Sequence, residues 1–361
     1  MKNKNWFFNS ISNYTLVLAI FIFICLKIFI FVLIKNSVFE INLGDESDAN
    51  YYHAYAIGST DVAVNIWPEI LRFFNNLGLY KREVFSYFFL SLNLFFIPIL
   101  TTKISGLSFK YNQKDYLYIF ILCLIYPTLY FYTFDIYRDV LMVFSFLIGC
   151  LIVKKSLNSS NFIYFSFYYL LAFLTGLFLL ELRPYLGYAF LLSLFMWKIK
   201  ITKKRLFTLS ILYFMTLFFA NYIGLLDSLT EYRSGFEEGN GGSTLGLDFS
   251  NPVMFIPNFI LSTLGQLFGL YITNPISIIL LFIETVPFFF MLVYVIKNIK
   301  LADNFVRFLI IFFVLYASVW LIGNDNLGTA VRLRLYNYFA VYICFFYILK
   351  LKGKMEKPTG N

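Results

Sequence analysis

The chain has 361 residues, of which 60% are hydrophobic, 22% aromatic and only 14% charged, with a formal net charge of +9 and a mean hydropathy of +0.74. Soluble domains carry roughly a quarter charged residues, so this composition excludes that class. It also excludes a nucleic-acid-binding reading, because most of the lysines sit in short connections between apolar runs rather than on one basic face.

Apolar runs long enough to cross a bilayer as helices, about 18 residues or more, recur from end to end. The first follows MKNKNWFFNS and is too long for the apolar core of a signal peptide, about 7–15 residues; no small-x-small cleavage site follows it. It reads as a retained span. In chain order the spans are predicted near 13–34, 83–102, 116–134, 139–153, 162–181, 184–197, 206–226, 275–296, 304–322 and 336–350. The segment 253–271, VMFIPNFILSTLGQLFGLY, is also apolar but carries Pro257, Asn258 and Gln266. It is expected to lie in the interface or to re-enter, because a crossing would invert the charge asymmetry of the loops that follow. The four cysteines, Cys25, Cys123, Cys150 and Cys344, fall inside apolar runs without metal-ligand spacing and read as packing residues.

With Lys2 and Lys4 inside and the chain alternating, the inside connections collect Lys103, Lys110, Lys114, Lys154, Lys155, the run from Lys198 to Arg205, Lys297, Lys300, Arg307 and the lysines after 350. That bias predicts ten spans, or up to twelve, with both termini cytoplasmic. The expected organisation is a single transmembrane domain over 1–361, with an outer loop at 35–82, a large outer loop at 227–274 and a cytoplasmic tail at 351–361. Of the 20 acidic residues only Asp115, Asp303 and Glu356 fall inside and Glu284 within a span, so polar chemistry gathers on the outer face.

Four outer segments and the start of the last span hold the candidates. GDESDANYYH places Asp45, Glu46 and Asp48 beside Tyr51, Tyr52 and the sole histidine, His53. The carboxylates are the candidate general bases, and the aromatic residues are candidate glycan contacts. Solvated loop acids and interfacial aromatics are the competing reading. TFDIYRDV carries Asp135, Arg138 and Asp139, ELRPYLGY carries Glu181 and Arg183, and the loop 227–252 carries Arg233. GNDNLGTAVRLRLYNY carries Arg332 and Arg334. Any one of these arginines is explained as well by a neighbouring acid or a lipid phosphate as by a ligand. Four of them on one face (Arg138, Arg183, Arg332 and Arg334) favour a shared anionic ligand, since the guanidinium fork binds two phosphate oxygens and stays charged when partly buried. Arg332 and Arg334 would converge on one ligand only from an extended backbone, so a non-helical segment is expected there. Lys27 and Glu284, charged residues within spans, are expected to pair across helices. Glu284 is alternatively a proton-coupling site.

The early GDESDANYYHAYA loop, the large late outer loop and the terminal NDNLGTAVRLRLYNY, on about ten spans, resemble the bacterial O-antigen and capsular repeat-unit polymerases of the Wzy type. The resemblance implies an all-α, GT-C-like polytopic protein of the bacterial inner membrane, serving lipopolysaccharide or capsule biosynthesis. It implies transfer between undecaprenyl-pyrophosphate-linked glycans, with no cofactor, no metal and no nucleic acid. A flippase and a chain-length regulator would be its partners in the membrane. Asp45, Glu46 or Asp48 would then take the proton and Arg138, Arg183, Arg233, Arg332 and Arg334 would hold the pyrophosphate, with loop 227–252 closing over the glycan. Two other readings stay open: a GT-C-like transferase using a polyprenyl-phosphate sugar donor, and a lipid-linked oligosaccharide flippase or exporter.

Overall fold

The computed structural model describes residues 11–38, 48–238 and 243–356. The regular structure among them is helical, and seven helices are long and apolar enough to cross a membrane. Because lipid offers no hydrogen-bond partners, a polytopic chain must satisfy its backbone within helices. The helices are α1 (Asn13–Lys35), α2 (Asp48–Ala56), α3 (Ile66–Asn76), α4 (Arg82–Ile104), α5 (Gln113–Ile125), α6 (Pro127–Phe131), α7 (Arg138–Leu157) and α8 (Phe162–Leu182). They continue as α9 (Pro184–Met196), α10 (Lys203–Tyr222), α11 (Asp227–Glu238), α12 (Pro252–Leu267), α13 (Pro275–Lys297), α14 (Asn304–Gly323) and α15 (Leu327–Glu356). Small polar side chains begin many of them. Ser12, Asn65, Thr202, Asn251, Asn274 and Asp303 each accept a first-turn amide, supplying the donors' missing partners.

The expected spans at 13–34, 83–102, 139–153, 162–181, 206–226, 275–296 and 304–322 coincide with the seven long helices, α1, α4, α7, α8, α10, α13 and α14. Three do not match as drawn. The run 116–134 is broken at Tyr126, whose ψ of 103° leaves the helical region because Pro127 follows, so α5 has only 13 residues. At 1.5 Å per residue that is about 20 Å, short of a bilayer core of about 30 Å. The run 184–197 likewise forms a 13-residue helix. The run 336–350 lies within the 30-residue α15, in which every residue from Leu335 to Ile348 is buried. A helix that is apolar on all sides and buried on all sides belongs to an interior. The segment 253–271 contains the 16-residue apolar helix α12, too short to count among the long ones.

The chain divides into two compact units, Met1–Leu151 with Glu181–Arg183, and Ile152–Leu180 with Pro184–Asn361. In the first, α1 packs on α5 around Phe31, Leu90, Leu94, Phe120, Leu124 and Phe134. In the second, α14 packs on α9 and α15, α13 packs on α15, and α12 packs on α10. At the tight turn after α8, a Cβ on Gly187 would meet the Leu180 backbone at 2.2 Å, so only glycine lets α9 pass this close.

Among the described residues three apolar helices, α4, α12 and α13, contain a single π turn, at Leu92–Phe96, Thr263–Leu267 and Leu281–Thr285. The turns carry the buried polar side chains Asn93, Gln266, and Glu284 with Thr285, respectively. A π turn widens the backbone locally and rotates one residue relative to the regular helix. Lys27 donates to Asn93 Oδ1 at 3.1 Å and lies 4.5 Å from the centre of the Tyr130 ring. The expected Lys27–Glu284 pair is therefore corrected: Lys27 is held by an amide and an aromatic face, and Glu284 bonds Arg334.

Replacing Asn93 by leucine removes the side-chain oxygen that Lys27 bonds among the described residues, and we expect a loss of about 2–4 kcal/mol, measured by unfolding in detergent. Lys27→Met in the same background should restore most of it. Equal stability of the single and double variants would show that Asn93 does not hold the ammonium.

Candidate functional site

The second unit contains a cavity of about 330 Å³ where two helices begin. Asn274, Ile276, Ser277 and Leu280 from the start of α13 form one wall, and Asn326, Leu327, Gly328, Ala330, Val331 and Arg334 from the start of α15 form another. Gly265 and Gln266 from the π turn of α12, with Gly269, Tyr271, Thr273 and Ser243, complete it. Arg334 is the one charged residue in this lining.

Both helix starts are fixed locally. Asn274 and Ser277 form a reciprocal capping box, Asn274 Oδ1 accepting the Ser277 amide at 2.9 Å, and Pro275 occupies the first helical position, where no amide partner is needed. Asn326 Oδ1 accepts the Thr329 amide at 2.9 Å. The two positive dipole ends thus open on the same space.

Arg334 Nη2 donates to Glu284 Oε2 at 2.8 Å, with both side chains buried, and Tyr338 lies under the guanidinium with its ring centre 5.3 Å away. Gly269 closes on the same guanidinium. Its φ of +59° suits glycine, and a Cβ there would stand 2.8 Å from Arg334 Nη1. Tyr338 in turn donates to the Leu267 carbonyl at 2.7 Å, tying α15 to the end of α12.

A second buried arginine builds the wall without facing the cavity. Arg233 on α11 donates to the carbonyls of Leu247, Leu321, Ile322 and Asn324 and pairs with Asp325. Asp325 also accepts the Gly246 amide at 2.9 Å, and the Leu327 amide donates to the Ser243 carbonyl at 2.9 Å. The strand-like segment around Thr244 is therefore strapped to the α14–α15 connection. Gln266 accepts from Asn324 and donates to Ser262 and the Asn324 carbonyl, so it too acts as a brace.

The structure distributes the sequence candidates as follows. Asp45 and Glu46 lie outside the described residues. Asp48 is the first residue of α2 and is half-buried. Tyr51 donates to the Val62 carbonyl, Tyr52 is buried with its ring edge on Tyr51, and His53 Nδ1 meets Tyr80 Oη at 2.9 Å, so this aromatic group packs α2 against the segments that follow it. Arg138 and Arg183 are brought together in the first unit: Arg138 donates to the Leu182 carbonyl at 2.7 Å and Arg183 stands 3.5 Å from Asp139. Arg233 and Arg334 fall in the second unit, as above. Arg332 is half-buried on α15. The expected non-helical segment at 332–334 is corrected. The backbone there is helical, and residues two apart on a helix point about 200° apart, so Arg332 and Arg334 do not grip one group together.

Several site residues, or the partners that place them, escaped the sequence reading. The NPIS motif at 274–277 is a legible capping box with a first-position proline, yet a cap alone does not announce a cavity. Gln266 and Glu284 are isolated polar residues in apolar runs, and their partners are 58 and 50 residues away. Arg82 pairs in bidentate fashion with Asp135 at 2.7 and 2.5 Å and reaches Asn50, fastening α2 to the 135–137 turn. Trp67 adds to this with an indole N–H donated to the Ile136 carbonyl at 2.8 Å.

The chain matches no protein-family model, no characterised protein and no solved structure.

Two outcomes follow from these contacts. Arg233→Met leaves Asp325 buried without its cation and should cost about 3 kcal/mol of stability, while Arg233→Met with Asp325→Asn should recover part of that loss. Additive losses in detergent unfolding would deny the coupling. Burial, aided by the nearby Arg82 cation and opposed by Asp135, holds the His53 imidazolium below its ordinary pKa of 6.5. The unfolded chain then binds more protons than the folded one below pH 6.5, so stability should fall as pH drops from 6.5 through the folded pKa. As the only histidine, His53 gives a single imidazole NMR titration, and a midpoint at or above 6.5 would contradict this.

Proposed function

We propose that the protein is a membrane transferase acting on lipid-linked glycans, in its most specific form a polymerase of undecaprenyl-pyrophosphate-linked repeat units. The supporting observation is the cavity at the starts of α13 and α15: two helix dipoles and Arg334 surround a space lined with amides and hydroxyls, in a chain that is otherwise apolar. Positive helix ends favour a phosphate oxygen, and amide and hydroxyl groups suit sugar hydroxyls. In this reading a phosphate of the lipid-linked donor sits against the helix starts. The roles of Asp45, Glu46 or Asp48 as base and of Arg138 and Arg183 on the pyrophosphate rest on the sequence alone; Arg332 points away from Arg334 on the helix, and Arg233 supports the wall. A GT-C-like arrangement, an inner-membrane location with cytoplasmic termini, and a flippase and chain-length regulator as partners belong to the same proposal.

Deletion should leave single repeats on the lipid, seen as one short band in place of a ladder. Ala330→Leu, which fills the cavity from a buried position at its wall, should shift the ladder toward that band while the protein remains in the membrane. Loss of all surface glycan on deletion would instead identify a flippase or an assembly transferase, and an unchanged ladder would reject the proposal.

A further inference from the structure

The charge of the cavity wall can be counted. Each helix start contributes the equivalent of roughly half a positive charge, so α13 and α15 together present about one. Arg334 is the one charged lining residue, and its charge is opposed by Glu284, buried one hydrogen bond behind the wall at 2.8 Å. The Arg233–Asp325 pair beneath the α15 start adds no net charge. What remains matches one negative charge on a ligand, and a second or third would lie against Glu284 without a further cation among the described lining residues. The π turn of α13 carries Glu284 to this place, and Tyr342 Oη contacts its carbonyl at 3.4 Å.

From this count we propose that Glu284 is a specificity-determining residue: it restricts the cavity to a ligand group with a single negative charge, such as a phosphodiester, and against free phosphate or pyrophosphate. The inference rests on the reading that a phosphate enters this cavity, and it narrows which phosphate. In a sugar–pyrophosphate–lipid each phosphorus has one ester and one anhydride link and carries one charge, whereas the terminal phosphorus of the lipid left after transfer has lost its ester and carries more. Glu284 would thereby favour the linked donor over the released lipid and aid product departure. The cavity is a positioning site here, and Glu284 acts through Arg334 rather than on the reacting atoms.

The test uses the full chain in a nonionic polyoxyethylene detergent, with dimethyl phosphate, inorganic phosphate and inorganic pyrophosphate as probes and binding read by calorimetry and by 31P line broadening. The wild type should bind dimethyl phosphate at least as tightly as pyrophosphate. Glu284→Gln should raise pyrophosphate affinity about tenfold or more relative to dimethyl phosphate, as expected for removing one charge a few ångströms behind the site. A tenfold preference of the wild type for pyrophosphate would overturn the inference, as would an unchanged ratio in a folded Glu284→Gln protein. If Glu284→Gln fails to fold, the neutral pair Glu284→Gln with Arg334→Gln decides: it should bind dimethyl phosphate more weakly than wild type, and undiminished binding would overturn the assignment. Binding of none of the probes by the wild type also overturns it. Competition by phosphatidylglycerol in mixed micelles would keep the charge rule while naming an ordinary lipid headgroup as the occupant. A normal glycan ladder in the deletion strain rejects the proposed function without touching these binding results.

Discussion

The ion pair between Arg334 and Glu284 is the interaction on which the second unit's interior turns. An arginine buried in an apolar surrounding is tolerated only when its charge and donors are met. Glu284 meets them from α13, reached through a π turn, while Tyr338 and the Gly269 backbone close on the remaining faces of the guanidinium. The consequence is geometric. Helices α13 and α15 are pinned to each other within a few turns of their starts, so both starts open on the same cavity. Moving the carboxylate by one residue would turn it to another face of α13 and remove the reason for the two helices to begin together.

The same device recurs with different chemistry. Asn93 on the π turn of α4 accepts from Lys27, and Gln266 on the π turn of α12 joins Ser262 and Asn324. In each case a polar residue sits in a long apolar run where a regular helix would aim it elsewhere, and the local widening aims it at a partner. These turns sit where a buried polar group must be satisfied, which is the strongest demand that a lipid environment makes on a helical chain.

Arginines that look equivalent in the sequence have different roles in the structure. Arg233 is enclosed by four carbonyls and Asp325, and it holds the segment around Thr244 against the α14–α15 connection. Arg334 lines the cavity but is compensated. Arg138 and Arg183 bind the turn segments that carry them to one another through Leu182 and Asp139. Arg82, which the loop charges did not single out, fastens α2, through Asn50, to Asp135. Counting cations on a face overstates the field available to an anionic ligand whenever carboxylates are buried behind them.

Composition and the length of the apolar runs were enough to establish a polytopic helical chain and seven of its long helices, because crossing length and apolarity are local properties. The caps at Asn274 and Asn326 are local as well, although the sequence reading did not single them out. Proline at 127 also carried its message locally, although the run around it obscured the break. Pairings over 50 residues or more were beyond reach: that Glu284 meets Arg334 rather than Lys27, that Arg233 meets Asp325, and that the starts of α13 and α15 enclose one cavity. An isolated charge in an apolar run states that a partner must exist, since burial demands one. Which partner it finds depends on how helices pack and where a π turn rotates one residue, and only the tertiary structure decides that.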